Sequence, residues 1–148
     1  MALPPKNGWI IEFIAARSAY DTFDNQLIGA FVDMCEGGTL FCCRCEGDYF
    51  KEHDGLKPPF IEDQDCRLDL DDEIIDRLEA VANAVNGGLN GKICLPGAFN
   101  PQEIVATALR HDFGVITNKQ SARFITTRDL CMECGVTVLS TAEFKAAL

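Results

Sequence analysis

The chain has no apolar run approaching the ~18 residues that a membrane span requires. Met1–Gly8 carries two prolines and one lysine and lacks the apolar core of a secretion signal. Histidine is scarce, with only His53 and His111 in 148 residues. Neither a P-loop nor a dinucleotide-binding glycine fingerprint is present, and Ser121 has no evident His/Asp partner in sequence. Asp63, Asp65 and Asp69 lack the glycine and closing glutamate of a calcium loop. These absences exclude a transmembrane protein and a secreted precursor, and a cytoplasmic setting is expected. With 47% hydrophobic and 24% charged residues, the composition suits one globular domain spanning 1–148.

Positive charge is also in short supply. The formal net charge is -10, and residues 1–75 hold 6 basic against 16 acidic side chains, while the rest of the chain is balanced. A protein that grips nucleic acid by its phosphates needs the opposite sign. An RNA-binding role therefore needs a local basic patch, metal ions or a basic partner. Lys119, Arg123 and Arg128, with Lys6 and Arg17, are candidates for such a patch; scattered solvated charges are the alternative.

Cysteine is plentiful, with eight in the chain. With no secretion signal, a disulfide framework is not expected. Cys42 with Cys45, and Cys131 with Cys134, have Cys-x-x-Cys spacing, each followed closely by glycine. A tetrahedral zinc would need both pairs brought together; otherwise they are small buried apolar residues.

Hydrophobic spacing places the elements. Trp9–Ala16 reads as a short buried strand, with helix as the other option, and Asp24 caps a helix carrying Leu27, Ile28, Phe31 and Val32. Thr39–Cys43 is the next strand, and Glu46–His53 a short helix. A helix from Asp71 or Asp72 to about Asn86 carries the stripe Ile74, Ile75, Leu78, Val81, Ala82 and Val85. Asn100 and Pro101 open another helix, and His111 near its end suits a cation there. Gly114–Thr117 is a strand, Arg123–Glu133 a helix, Val136–Leu139 a strand, and Ser140 or Thr141 caps the last helix. Short strands alternating with helices predict a three-layer α/β/α sandwich with a mostly parallel central sheet. Ligands of such sheets bind outside the carboxyl ends of the strands. That directs attention to Glu12, Arg17, Arg44–Asp48, Asn118–Gln120 and the helix start at Asn100.

Residues 100–148 carry a resemblance. NPQEIVATALRHDFGVITNK resembles the PIN-domain pattern, in which an aspartate opens a helix ending in Ala-x-Ala-Leu; a short strand closed by threonine and an acidic residue follows. GVTVLSTAEF resembles that family's closing strand and its capped helix. The first half is similar in the order of its elements only. The resemblance implies a PIN-like fold and a divalent-metal-dependent ribonuclease of the toxin–antitoxin kind, with Mg²⁺ or Mn²⁺ held by acids at the strand ends.

Carried onto this chain, the four positions are Glu12, Glu46 (Asp48 is close by), Asn100 and Asn118. Two expected carboxylates are thus amides, which ligate through oxygen but add no charge. Glu103, one turn into the helix, completes a rearranged triad with Glu12 and Glu46 as catalytic acids, and Lys119 and Arg123 lie where substrate would bind. Asn118 is expected to point into the cleft. The resemblance also implies RNA as substrate, an antitoxin-like protein partner covering the site, and room for a homo-oligomer. Two other readings stay open: a catalytically inactive PIN-like interaction module, and a zinc-binding or redox thiol protein.

Overall fold

The apolar run beginning at Trp9 breaks at Glu12, and the first strand turns there into a helix. The computed structural model describes residues 4, 6–43, 67–68, 70–84, 101–118 and 127–148. β1 is Trp9–Ile11, and α1, Phe13–Asp21, follows at once. Phe13–Ala16 is therefore helical, the other option of the sequence reading, and the helix runs on to Asp21, where none was expected. Its buried residues, Ala15, Ala16 and Ala19, are small enough to bring the helix close to the sheet. The apolar run spans a strand–helix junction, so its length masked the change of period.

α2, Asn25–Glu36, starts where expected, and the Asp24 carboxylate accepts the Leu27 N–H at 3.2 Å. β2 is Leu40–Cys43, and β3 is the two-residue strand Arg67–Leu68, too short to register in a sequence pattern. α3, Asp72–Ala84, is capped by Asp71, whose carboxylate accepts the Ile74 N–H at 2.8 Å. Ile74, Leu78 and Val81 of its stripe are buried, but Ile75 is 48% exposed and does not belong to the core. α4 is Pro101–His111, β4 Gly114–Thr117, α5 Thr127–Glu133, β5 Val138–Ser140 and α6 Thr141–Ala146. Ser140 closes a reciprocal capping box with Glu143 on α6. The expected helix over Glu46–His53 lies outside the described residues.

The sheet runs β3-β2-β1-β4-β5, and every pairing is parallel. Side chains alternate between its two faces. Trp9, Ile11, Leu40, Cys42 and Ile116 join α1, α2 and Phe144 of α6 in one core. Ile10, Cys43, Val115, Leu130 and Cys131 join α3, α4 and α5 in the other. Helices thus cover both faces, as the predicted three-layer α/β/α sandwich requires. Among the described residues, no helix is long and apolar enough to cross a membrane.

From β1 the chain adds β2 and β3 on one side, then crosses back to place β4 on the other side of β1, where the strand order reverses. A crevice opens at such a reversal, outside the carboxyl ends of the strands. Here those ends are Ile11 of β1 and Thr117 of β4, which sets the place of the site.

Candidate functional site

Glu12 continues the ladder of β1, its backbone extended and its N–H donating to the Ile116 carbonyl at 3.0 Å. Alternation carries its side chain to the face of Ile10, the face that α4 and α5 cover. The register Ile10–Phe41, continued two residues, sets Glu12 beside Cys43 at the end of β2. Glu12 is 0% exposed. Burial pushes its carboxyl up to about 7, while the neighbouring Thr117 and Thr127 hydroxyls pull it partly back. No hydrogen bond of good geometry reaches either carboxylate oxygen.

The helices bring more polar groups to this edge. α4 and α5 each precede a strand, so each begins at the carboxyl edge. Gln102 and Glu103, in the first turn of α4, are 0% and 2% exposed, and Thr127, the first residue of α5, is 0% exposed. The Cys43 thiol donates to Glu103 Oε2 at 3.4 Å, and the Thr107 hydroxyl to the Glu103 carbonyl at 2.7 Å, fixing this turn of α4 against β2. Glu103 also sets negative charge at the positive end of α4.

Among the described residues, the buried side-chain N and O atoms without a partner are both Glu12 oxygens, both Gln102 amide atoms and the Thr127 hydroxyl. All belong to residues at the carboxyl edge. Leaving such an atom unpaired costs about 1–3 kcal/mol. Together these atoms rival the ~5–15 kcal/mol net stability of a whole domain. A polar ligand at this edge would give them partners. The orphaned oxygens of Glu12, Gln102 and Thr127 are hard donors, the type that Mg²⁺ and Mn²⁺ select. On donor chemistry, then, the residues present fit a divalent cation.

Glu12 and Glu103 are thus both buried on this edge. Glu46, Asn100, Lys119 and Arg123 lie outside the described residues. Asn118 goes elsewhere: its amide oxygen accepts a short hydrogen bond from the Thr141 hydroxyl of α6. It also lines a groove of about 460 Å³ with Phe13, Ile14, Arg17, Ser18, Asp21 and Thr22 of α1. α1 and α6 cover the face opposite Glu12, so the expectation that Asn118 joins the acids in one cleft is not met. Among the described residues, no three His, Cys, Asp or Glu side chains gather as a metal cluster.

The basic side chains of the expected patch are ion-paired where described: Arg17 with Asp21, Arg128 with Glu143 and Lys6 with Asp112. His111 stacks on Phe113 at the far edge, and burial lowers its pKa, so the expected capping cation is disfavoured.

Of the four cysteines of the zinc alternative, Cys45 lies outside the described residues, and Cys42 and Cys131 lie on opposite faces of the sheet. Cys42 packs in the α1/α2 core and Cys131 in the α4/α5 core. Zinc–sulfur bonds of about 2.3 Å cannot bridge the two faces of a sheet. Burial pushes the thiols of Cys131 and Cys134 up, and the Glu12 charge adds to the shift at Cys131. Thiolate is the reactive form, so the pair is poorly disposed to redox chemistry as well.

Sequence reasoning passed over Gln102 and Thr127 because it searched for acids. The available signal was positional: both open helices that begin at the carboxyl edge. Comparison of the chain with known protein families, with curated proteins and with solved structures gives no match in any of the three.

Proposed function

We propose that the carboxyl edge around Glu12 and Glu103 is a divalent-cation site for hydrolysis of RNA phosphodiesters, in a PIN-like, metal-dependent ribonuclease. The observation that carries this reading is the gathering of unpartnered, buried oxygen donors beside the reversal point of a parallel sheet. The residue pattern over 100–148 and the position of Glu12 at the end of β1 support it further.

Glu12 and Glu103 would hold Mg²⁺ or Mn²⁺, which supplies an activated water and offsets charge on the phosphoryl oxygens. Glu12 must ionise to do so. Its burial keeps it protonated up to about pH 7 when nothing is bound. The site is therefore costly to charge without a cation, and a cation is what would make the ionised form stable. Thr117 and Thr127 orient the carboxyl from the β4 and α5 sides.

The acidic surface argues that RNA reaches this edge with help, from bound cations or from a basic partner of the antitoxin kind. A catalytically inactive interaction module is the second reading, favoured by one observation: Asn118 is committed to Thr141.

Purified protein incubated with single-stranded RNA and Mn²⁺ tests the first reading. Cleavage that needs the metal and is lost in Glu12→Gln and in Glu103→Gln is expected. Tight Mn²⁺ binding without cleavage would favour the interaction module, and no Mn²⁺ binding would end the metal reading.

A further inference from the structure

Carboxylates alone do not account for the unpartnered atoms on this edge. Gln102 keeps an amide oxygen and an amide nitrogen unpaired at 0% exposure, and Thr127 keeps its hydroxyl unpaired at 0% exposure. Neither serves the core, because a methionine or a valine of similar shape would fill the same space without an orphaned polar atom. Neither is one of the acid positions that the sequence pattern brings forward.

The two residues are placed alike. α4 and α5 lie on the same face of the sheet, pack against each other and run in the same direction. Gln102 is the second residue of α4 and Thr127 the first of α5, so both stand in the first turns of neighbouring helices that begin at the carboxyl edge. Thr127 faces the Glu12 carboxyl directly. Glu103, the next residue after Gln102, is anchored to the end of β2 through Cys43.

We infer that Gln102 and Thr127 supply neutral oxygen ligands to the divalent cation of this site, completing a shell whose charge comes from Glu12 and Glu103. The assignment rests on the metal reading above and specifies which side chains complete the site. Hard cations take six or more oxygens and accept amide and hydroxyl oxygens beside carboxylates. Two carboxylates neutralise a divalent ion, so the remaining protein donors do best to be uncharged. The Gln102 Nε2, left over once its oxygen is used, is a donor for a bound water or a phosphoryl oxygen.

A cation ligand and a structural polar residue respond oppositely to substitution. Gln102→Met and Thr127→Val each remove orphaned atoms while keeping shape. As ligand losses they should leave the metal-free melting temperature unchanged or raised, and weaken Mn²⁺ binding at least about tenfold. Thr127→Ser, which keeps the hydroxyl, should bind Mn²⁺ as the parent does. The measurement is Mn²⁺ titration of the full chain by calorimetry, with thermal unfolding alongside, and needs no activity.

If Gln102→Met and Thr127→Val bind Mn²⁺ like the parent while Glu12→Gln does not, the cation site stands and these two ligands are wrong. If both variants lose metal-free stability and keep Mn²⁺ affinity, their role is structural and the assignment is overturned. If the parent itself binds no Mn²⁺, the metal reading falls and this assignment with it. Should a variant fail to fold, Gln102→Asn, which shortens the reach by one methylene and keeps the amide, takes its place; undiminished Mn²⁺ affinity there counts against Gln102.

Discussion

Thr127, the first residue of α5, faces the carboxyl of Glu12 across the end of β1, and neither side chain completes a hydrogen bond of good geometry. Burial makes Glu12 an acid that the folded chain holds in its protonated form, and the Thr127 hydroxyl works against that only in part. Its folded pKa, about 7, lies above the value of 4.5 for an ordinary glutamate. The folded state then binds more protons than the unfolded state between those values, so stability falls as pH rises from about 4.5 to about 7. The loss attributable to Glu12 is on the order of 3 kcal/mol. His111, whose pKa burial lowers, works in the opposite direction as the pH rises toward 6.5. Denaturant unfolding of the parent and of Glu12→Gln across this window isolates the Glu12 part. The parent should lose stability relative to the variant as pH rises, and parallel curves would show that Glu12 does not titrate there.

Gly114 opens β4 directly against Trp9, and a Cβ at that position would be driven into the indole ring. Trp9 is 3% exposed and packed against Leu40 and Ile116, so the ring has nowhere to go. Gly114→Ala should cost about 1–3 kcal/mol through overpacking. For a chain of this size that is roughly 2–4 °C of melting temperature per kcal/mol. Trp9→Phe in the same background should recover part of the loss, because the smaller ring vacates the clash.

At the end of β5, the Ser140 hydroxyl accepts the Glu143 N–H at 3.1 Å while the Glu143 carboxylate accepts the Ser140 N–H at 3.0 Å. Arg128 of α5 donates to the same carboxylate at 2.6 Å, tying α5 to α6. The Arg128 hydrogen bond, then the Ser140 N–H, hold the Glu143 carboxyl down at about 2. This stabilisation is present above the ordinary glutamate range and is lost as pH falls through the range toward 2. The pair is exposed to solvent, so its worth is modest and salt-sensitive. Ser140→Ala should cost about 1 kcal/mol near neutrality, and Arg128→Met less, with the smaller effect shrinking further at high salt.

How far these features were legible depends on the range over which the signal acts. The Asp24 and Asp71 caps, the Ser140 box and the GVIT strand are local, written in spacing and side-chain chemistry within a few residues. Together with the alternation of elements they suffice for the α/β/α layering. The start of α1 stayed undecided between strand and helix because Ile10–Ala16 is apolar on both sides of Glu12, and periodicity cannot tell a buried strand from the first turn of a buried helix. In the site, Glu12 was legible as an acid closing a buried strand. Gln102 and Thr127 were not, since what marks them is the missing partner, and a missing partner is a property of packing. Asn118 was misjudged for a related reason: a strand end fixes where a residue sits, but its orientation depends on Thr141, 23 residues away.

That orientation supplies the last test. The Asn118 amide oxygen is held by Thr141, on the side of the sheet covered by α1 and α6, whereas Glu12 faces α4 and α5. Asn118→Asp keeps an acceptor for the Thr141 hydroxyl and adds a charge that lies across the sheet from the unpartnered oxygens. Were Asn118 a corner of the cation site, the added carboxylate would raise Mn²⁺ affinity, and the metal-induced rise in melting temperature would exceed that of the parent. With the amide turned away, equal rises are expected. At Mn²⁺ 100-fold above its Kd the gain is about 2.7 kcal/mol in either protein, and it should vanish in Glu12→Gln. A larger shift in Asn118→Asp, seen across a full Mn²⁺ titration, would mean that the residue swings into the cleft when metal binds. The site would then draw on both faces of the sheet at the β1–β4 reversal, and the bond to Thr141 would belong to the metal-free state alone.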